Sequence, residues 1–390
     1  MASDTNPVKL KAGADLRGAV RLAVEAVAGV AALTEAVHLN ILEKSPGRFL
    51  AKPTSFVYRM VQGVNRLVGG GLDAALGRLA DADGASGDWQ GREPVLAALN
   101  GVLGDRLEHG GNPLAIAMAF RREGRPLVHP VPGATGRILI LVHGLCMNDL
   151  QWLTDNGGHG SLLARERGYT LIYLHYNTGR HIALNGADFA AQIEALLDLW
   201  PVPVEELAII GHSMGGLVAR SACAFAEQAQ QRWRGKLRRL VTLGSPHHGA
   251  PLERGGNWLT LAMGMSSYSA PFARLAKIRS AGITDLRHGS VLREDWQDKD
   301  RFAAELAAQF LPLPEGVACF AMAGTVAAEA GRVRDALIGD GLVPLNSALG
   351  IAPDLARCLT FSASATLPNT HHMDLLTSPE VARQLLDWLD

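Results

Sequence analysis

Six short apolar runs recur along the chain from residue 137 onward: "RILILVH" (137–143), "TLIYLHY" (170–176), "ELAIIG" (206–211), "LRRLVTLG" (237–244), "VACFAMAG" (317–324) and "RCLTFSAS" (357–364). Continuous runs of this length suit strands covered on both faces. Helical stretches separate most of them, among them "GADFAAQIEALLDLW" (186–200) and "GLVARSACAFAEQAQQRW" (216–233). Strands that alternate with helices must pair mainly in parallel and be covered by those helices. The expected class is therefore α/β, with a mostly parallel central sheet and helices on both faces. Ahead of the first run, "LAIAMAFRREGRPLVHP" reads as a short β-hairpin turning at Glu123-Gly124.

The N-terminal part has a different texture. Apolar residues at Leu16, Val20, Val24, Val27, Ala31, Val37 and Ile41 fall near the helical period, and Pro46-Gly47 ends that run. A second helical run covers roughly 55–79, and a third, shorter one about 94–103. The expected layout is a helical N-terminal extension over 1–112 and a second domain over 113–390. More than sixty residues separate Gly249 from Val317. An insertion there, at about 250–315, would leave the carboxyl edge of the sheet, where a lid or cap sits.

Composition narrows the function. Of 390 residues, 48% are hydrophobic and 19% charged, enough to bury a sizeable core. The formal net charge of −1 offers no basic excess for nucleic acid. Cys146, Cys223, Cys319 and Cys358 are widely spaced and imply no disulfide framework. The N-terminus lacks a basic segment leading into an apolar run, and charges interrupt every candidate membrane span. A cytoplasmic protein is expected, with peripheral membrane contact left open. Nothing in the sequence fixes an oligomeric state. The histidines show no HExxH or similar spacing, so no metal or cofactor is expected.

Chemistry centres on "IIGHSMGGLVAR" (209–220), where an apolar run becomes a helical one at Gly211-His212-Ser213-Met214-Gly215. Gly-x-Ser-x-Gly at a strand-to-helix junction is a nucleophile elbow. The turn is so tight that side chains flanking the serine would collide, hence Gly211 and Gly215. A serine hydroxyl needs a base to react. In this arrangement the chain order is Ser, then an acid, then His. His371 and His372 follow the last run, before a helix that Ser378 can cap and Pro379 can start. His372 is preferred to His371. The acid should follow the run at 317–324, where Glu329, Asp335 and Asp340 are available. Asp340 lies between glycines in "LIGDGLVP", a turn able to aim a carboxylate back at an imidazole. An oxyanion needs two backbone N–H donors. Met214 follows the serine, and Gly144 would let the Leu145 N–H face it. His143 and Cys146 are expected to be structural. The segment after Gly249 supplies Trp258, Met263, Met265 and Phe272, an apolar stripe suited to an acyl pocket.

Together "LILVHGL", "GHSMGG", "LGSPHHGAPLE", "DGLVP" and "HHMDLL" resemble the α/β-hydrolase lipases and esterases, over about residues 114–390. The nearer branches are bacterial triacylglycerol lipases and GPI inositol-deacylase-like hydrolases. The resemblance implies an α/β-hydrolase fold and a serine ester hydrolase acting on a small-molecule or lipid ester. It places the base in a His-x-Asp-Leu-Leu context, which His372 satisfies. It also places the "SPHHG" loop beside the site, so His247 is expected in the pocket wall. A thioesterase, amidase or acyltransferase would use the same triad, and a non-catalytic binding protein could keep the fold. The N-terminal extension has no counterpart in the family.

Overall fold

The computed structural model describes Gly18, Arg21 and residues 92–153, 157–250, 279–300, 308–327 and 339–390. Gly18 and Arg21 are helical; otherwise the first two expected helices lie outside the described residues. So does most of the 250–315 insertion, which within its described part holds one helix and one 3₁₀ turn. The described residues fall into two compact units. One contains Glu93–Asp105 and Ile116–Asp390, and the other Arg92 and Arg106–Ala115 with Gly18 and Arg21. In the smaller unit the Asn112 side chain donates to the Gly18 carbonyl (3.0 Å) and Arg21 to that of Gly111 (2.9 Å).

Eight strands build one sheet: β1 (Ala119–Arg122), β2 (Arg125–Pro126), β3 (Arg137–Val142), β4 (Thr170–His175), β5 (Glu206–His212), β6 (Leu237–Leu243), β7 (Ala318–Gly324) and β8 (Ala363–Leu367). Their spatial order is β2-β1-β4-β3-β5-β6-β7-β8. Every pairing from β4 across to β8 is parallel, and β1 is antiparallel to both of its neighbours. This is the α/β-hydrolase architecture that the sequence led us to expect. The hairpin turns at Glu123 (φ 52°) and Gly124 (φ 75°), the mirror-image turn that matches strand twist.

The helices are α1 (Arg92–His109), α2 (Gly158–Arg167), α3 (Ile182–Leu199), α4 (Met214–Gln228), α5 (Ala281–His288), α6 (Leu345–Ala348) and α7 (Pro379–Trp388). Leu139, Leu141, Ile210 and Leu243 pack with Leu163 of α2 and with Val381 and Leu385 of α7. Residues of opposite parity, Ile138, Ile140 and Ile209, are equally buried. Helix α4 packs on β3, β5 and β6, and α3 packs on α4. Both faces are therefore covered, which is why these strands are apolar throughout. Truncating Leu141 to Ala would cost about 2–5 kcal/mol.

Three expected boundaries move. The last strand is Ala363–Leu367, not 357–364, because Asp354 caps a 3₁₀ turn over Leu355–Arg357. The third N-terminal helix is Arg92–His109, longer than 94–103. The helix expected at 186–200 begins earlier, at Ile182. The final helix starts as anticipated, with Pro379 in its first turn and the Ser378 hydroxyl accepting from the Glu380 N–H.

Candidate active site

Ser213 stands between β5 and α4 with φ 54° and ψ −123°, a backbone state that L-residues rarely adopt. It persists because the surroundings hold it. The Ser213 N–H donates to the Leu243 carbonyl at 2.8 Å. A Cβ on Gly211 would collide with the Gly216 backbone, and one on Gly215 with the Val142 carbonyl. The elbow therefore needs both glycines. Ser213 itself is 4% exposed.

Asp340 and His372 come from loops that follow β7 and β8. His372 Nδ1 lies 2.6 Å from Asp340 Oδ2. The other carboxylate oxygen, Oδ1, accepts the N–H groups of Leu342 (3.0 Å) and Val343 (2.8 Å). The His372 N–H donates to the Asp340 carbonyl at 3.1 Å, so backbone and side chain fix the pair together. Gly339 (φ 54°) and Gly341 (φ 92°) frame the turn that aims the carboxylate. His371 is exposed, and its N–H donates to Asp374 Oδ2 at 2.8 Å. Asp335 and Glu329 lie outside the described residues.

His212, just before the serine, joins the elbow to the histidine loop. Its Nε2 lies 3.0 Å from the His372 carbonyl, and the two ring centroids are 4.6 Å apart. Since a carbonyl only accepts, His212 carries its proton on Nε2. Burial, and next the nearby His372, hold its pKa well below the ordinary histidine value. Sequence reasoning missed this contact, because a histidine ending an apolar strand gives no sign of its partner.

The loop after β3 closes over the elbow. A Cβ on Gly144 would lie 3.0 Å from the Ser213 Cβ, so this backbone runs against the serine. Leu145 is 6% exposed, and Met214 is the first residue of α4. The Cys146 N–H donates to the Thr178 hydroxyl at 3.2 Å. Asn177, next to it, donates to the Gly104 carbonyl of α1 at 2.9 Å. The polar "NTG" that ends the β4 run is the only sequence trace of this brace. Burial pushes the Cys146 thiol up to about 12, so it stays protonated at neutral pH. Burial also pulls His143 down to about 3, and its ring stacks on Tyr176 at 4.4 Å. Both residues are buried.

His247 is buried. Its Nδ1 accepts from Arg220 Nη1 (3.2 Å), and its Nε2 lies 3.2 Å from the Thr242 hydroxyl, which donates to the Phe320 carbonyl. It lines a cavity to which Ser213, Asp340 and His372 do not contribute. Trp258, Met263, Met265 and Phe272 lie outside the described residues. Among the described residues, no group of three or more His, Cys, Asp or Glu is placed to hold a metal ion, and no helix is long and apolar enough to cross a membrane.

Residues 133–320 match the family described as the PGAP1-like alpha/beta domain. No curated protein matches the sequence. Among solved structures, similarity extends to the mature lipase BlEst2 of Bacillus licheniformis at 16% identity and a TM-score of 0.43, covering 70% of this chain and 98% of that one. The phospholipase PlaB of Legionella pneumophila is similar at 15% identity and a TM-score of 0.42, covering 65% and 60%. The RedJ thioesterase of Streptomyces coelicolor is similar at 16% identity and a TM-score of 0.38, covering 69% and 90%.

Proposed function

We propose that this α/β-hydrolase-fold chain is a serine carboxylic-ester hydrolase whose triad is Ser213, His372 and Asp340. The 2.6 Å pairing of His372 with Asp340, held against the strained elbow through His212, carries the reading. Ser213 Oγ attacks the ester carbonyl carbon, and His372 Nε2 takes its proton. Asp340 Oδ2 accepts from Nδ1–H, which fixes the tautomer and stabilises the imidazolium. The N–H groups of Leu145 and Met214 receive the developing oxyanion. Collapse expels the alcohol, which takes the proton from Nε2. Water, deprotonated by the same nitrogen, then releases the acid from the acyl-serine.

In this reading the substrate is a small-molecule or lipid ester. The segment at about 250–315 acts as a lid, with Trp258, Met263, Met265 and Phe272 along the acyl chain. The stretch 1–112 is an extension that brings the enzyme to a membrane surface from the cytoplasm. Each buried CH₂ contributes about 0.8 kcal/mol, so kcat/KM should rise with acyl length until the pocket is filled. Hydrolysis of a graded acyl-ester series, with Ser213→Ala as control, tests the reading. Thioester and amide analogues of the best substrate separate it from a thioesterase or an amidase, and added alcohol acceptors from an acyltransferase.

A further inference from the structure

A cavity of about 370 Å³ is lined by Arg220, His247, His248, Arg357, Phe310 and Leu311, among others. Arg220 lies on α4, seven residues after Ser213 and so about 10 Å further along the helix. It is 4% exposed. One guanidinium nitrogen meets His247, another donates to the Leu311 carbonyl, and Nε is buried with no partner among the described residues. These are neutral acceptors, and among the described residues Arg220 makes no ion pair with a carboxylate. Burial lowers Arg220 to about 10, so it stays protonated at neutral pH. An uncompensated buried cation is costly, because its hydration is lost with no opposite charge in return.

A second guanidinium, that of Arg357, lines the same cavity. Arg357 donates to the Ala308 carbonyl and makes no ion pair among the described residues. His248 Nε2 is buried without a hydrogen-bond partner among the described residues. The sole carboxylate among the described lining residues, Asp354, is exposed and accepts the Ala356 N–H. Two guanidinium groups around one space suit an anion with several acceptor oxygens. At about 370 Å³ the space exceeds a bare phosphate, and Phe310, Leu311 and Ala352 give it an apolar side for a carbon substituent.

We propose that this cavity binds a phosphate monoester through Arg220 and Arg357. The group is either the head of a lipid ester presented to Ser213 or a free phosphorylated compound. Binding stands independently of the hydrolase reading; only the lipid-head assignment rests on it.

Calorimetric titration of the full chain with inorganic phosphate and glycerol 3-phosphate tests binding. Both should bind, glycerol 3-phosphate more tightly, and Ser213→Ala should bind both as the parent does. Loss of a charged hydrogen-bond donor in Arg357→Gln should weaken binding about tenfold. Arg220→Met should do the same if circular dichroism shows it folded; Arg357→Gln, at a half-buried position, decides the matter otherwise. No heat from either ligand, or unchanged affinity in Arg357→Gln, overturns the proposal. Kinetics on dihexanoyl phosphatidic acid and dihexanoylglycerol distinguish the two sources. A loss in Arg357→Gln confined to phosphatidic acid identifies a lipid head. Weakened phosphate binding with both rates unchanged identifies a free phosphorylated compound. If the parent hydrolyses neither ester, the hydrolase reading fails while the titration still judges the site.

Discussion

The His212 imidazole holds the loop that carries His372: its Nε2 is 3.0 Å from the His372 carbonyl, with the two rings 4.6 Å apart. The residue beside Ser213 thus positions His372. Replacing His212 by Ala removes the donor and opens space under the His372 ring. A small misplacement of a reacting group can lower the rate about 10²-fold, and that is the loss in kcat expected of His212→Ala. It should be milder than loss of His372 itself, with little change in KM. Steady-state kinetics on a short ester measure both.

The two adjacent histidines should separate cleanly. Only His372 reaches Asp340, whereas His371 is exposed. His372→Ala and Asp340→Asn should each lower kcat about 10⁴-fold with the fold intact. His371→Ala should stay within a few fold of the parent. The reverse ranking of the two histidine variants would move the base by one residue.

Gly244 tests the packing behind the pair. It has φ 59°, and a Cβ there would lie 3.0 Å from Asp340 Oδ2 and 3.1 Å from His372 Nδ1. Gly244→Ala places a methyl group against their hydrogen bond and adds about 1–2 kcal/mol of backbone strain. Activity should fall by far more than that loss of stability explains. Urea unfolding and kcat measured on the same preparation separate the two effects.

Stability should fall as the solution is acidified through the ordinary histidine range. His143 is held at about 3, mainly by burial, and burial keeps His212 and His247 well below their usual value. Below about pH 6.5 the unfolded chain gains protons that these native imidazoles refuse. The native state is then disfavoured by about 1.4 kcal/mol per pH unit for each such histidine, until the pH reaches its folded pKa. Chemical denaturation at pH 8, 6 and 5 should show this slope before most carboxylates titrate. Equal stability from pH 7 to 5 would contradict it.

Much of this arrangement could be read in the residues because its parts are local. The elbow needs Gly211 and Gly215 beside the serine, and Asp340 needs a turn framed by glycines. Chain order then selects a histidine near the C-terminus. What could not be read depends on tertiary contact. Strand β8, "ASATL", is a half-exposed edge with no apolar run, so Leu359 and Phe361 drew the expected strand toward the N-terminus. The tie between His212 and His372 spans 160 positions and has no local pattern. Arg220 sits on a helix, where arginine ordinarily faces water, and only packing reveals its burial. His247 was legible as part of a loop near the site, but its pairing with Arg220 was not.

The central claim is that Ser213 is a nucleophile activated by His372 and Asp340. A fluorophosphonate probe forms a stable adduct only with an activated serine. After incubation of the full chain with the probe, peptide mass spectrometry should find a single adduct, on Ser213, and ester hydrolysis should cease in proportion to labelling. Labelling should be abolished in Ser213→Ala and strongly slowed in His372→Ala. An unlabelled Ser213, or hydrolysis that survives in Ser213→Ala, would contradict the account.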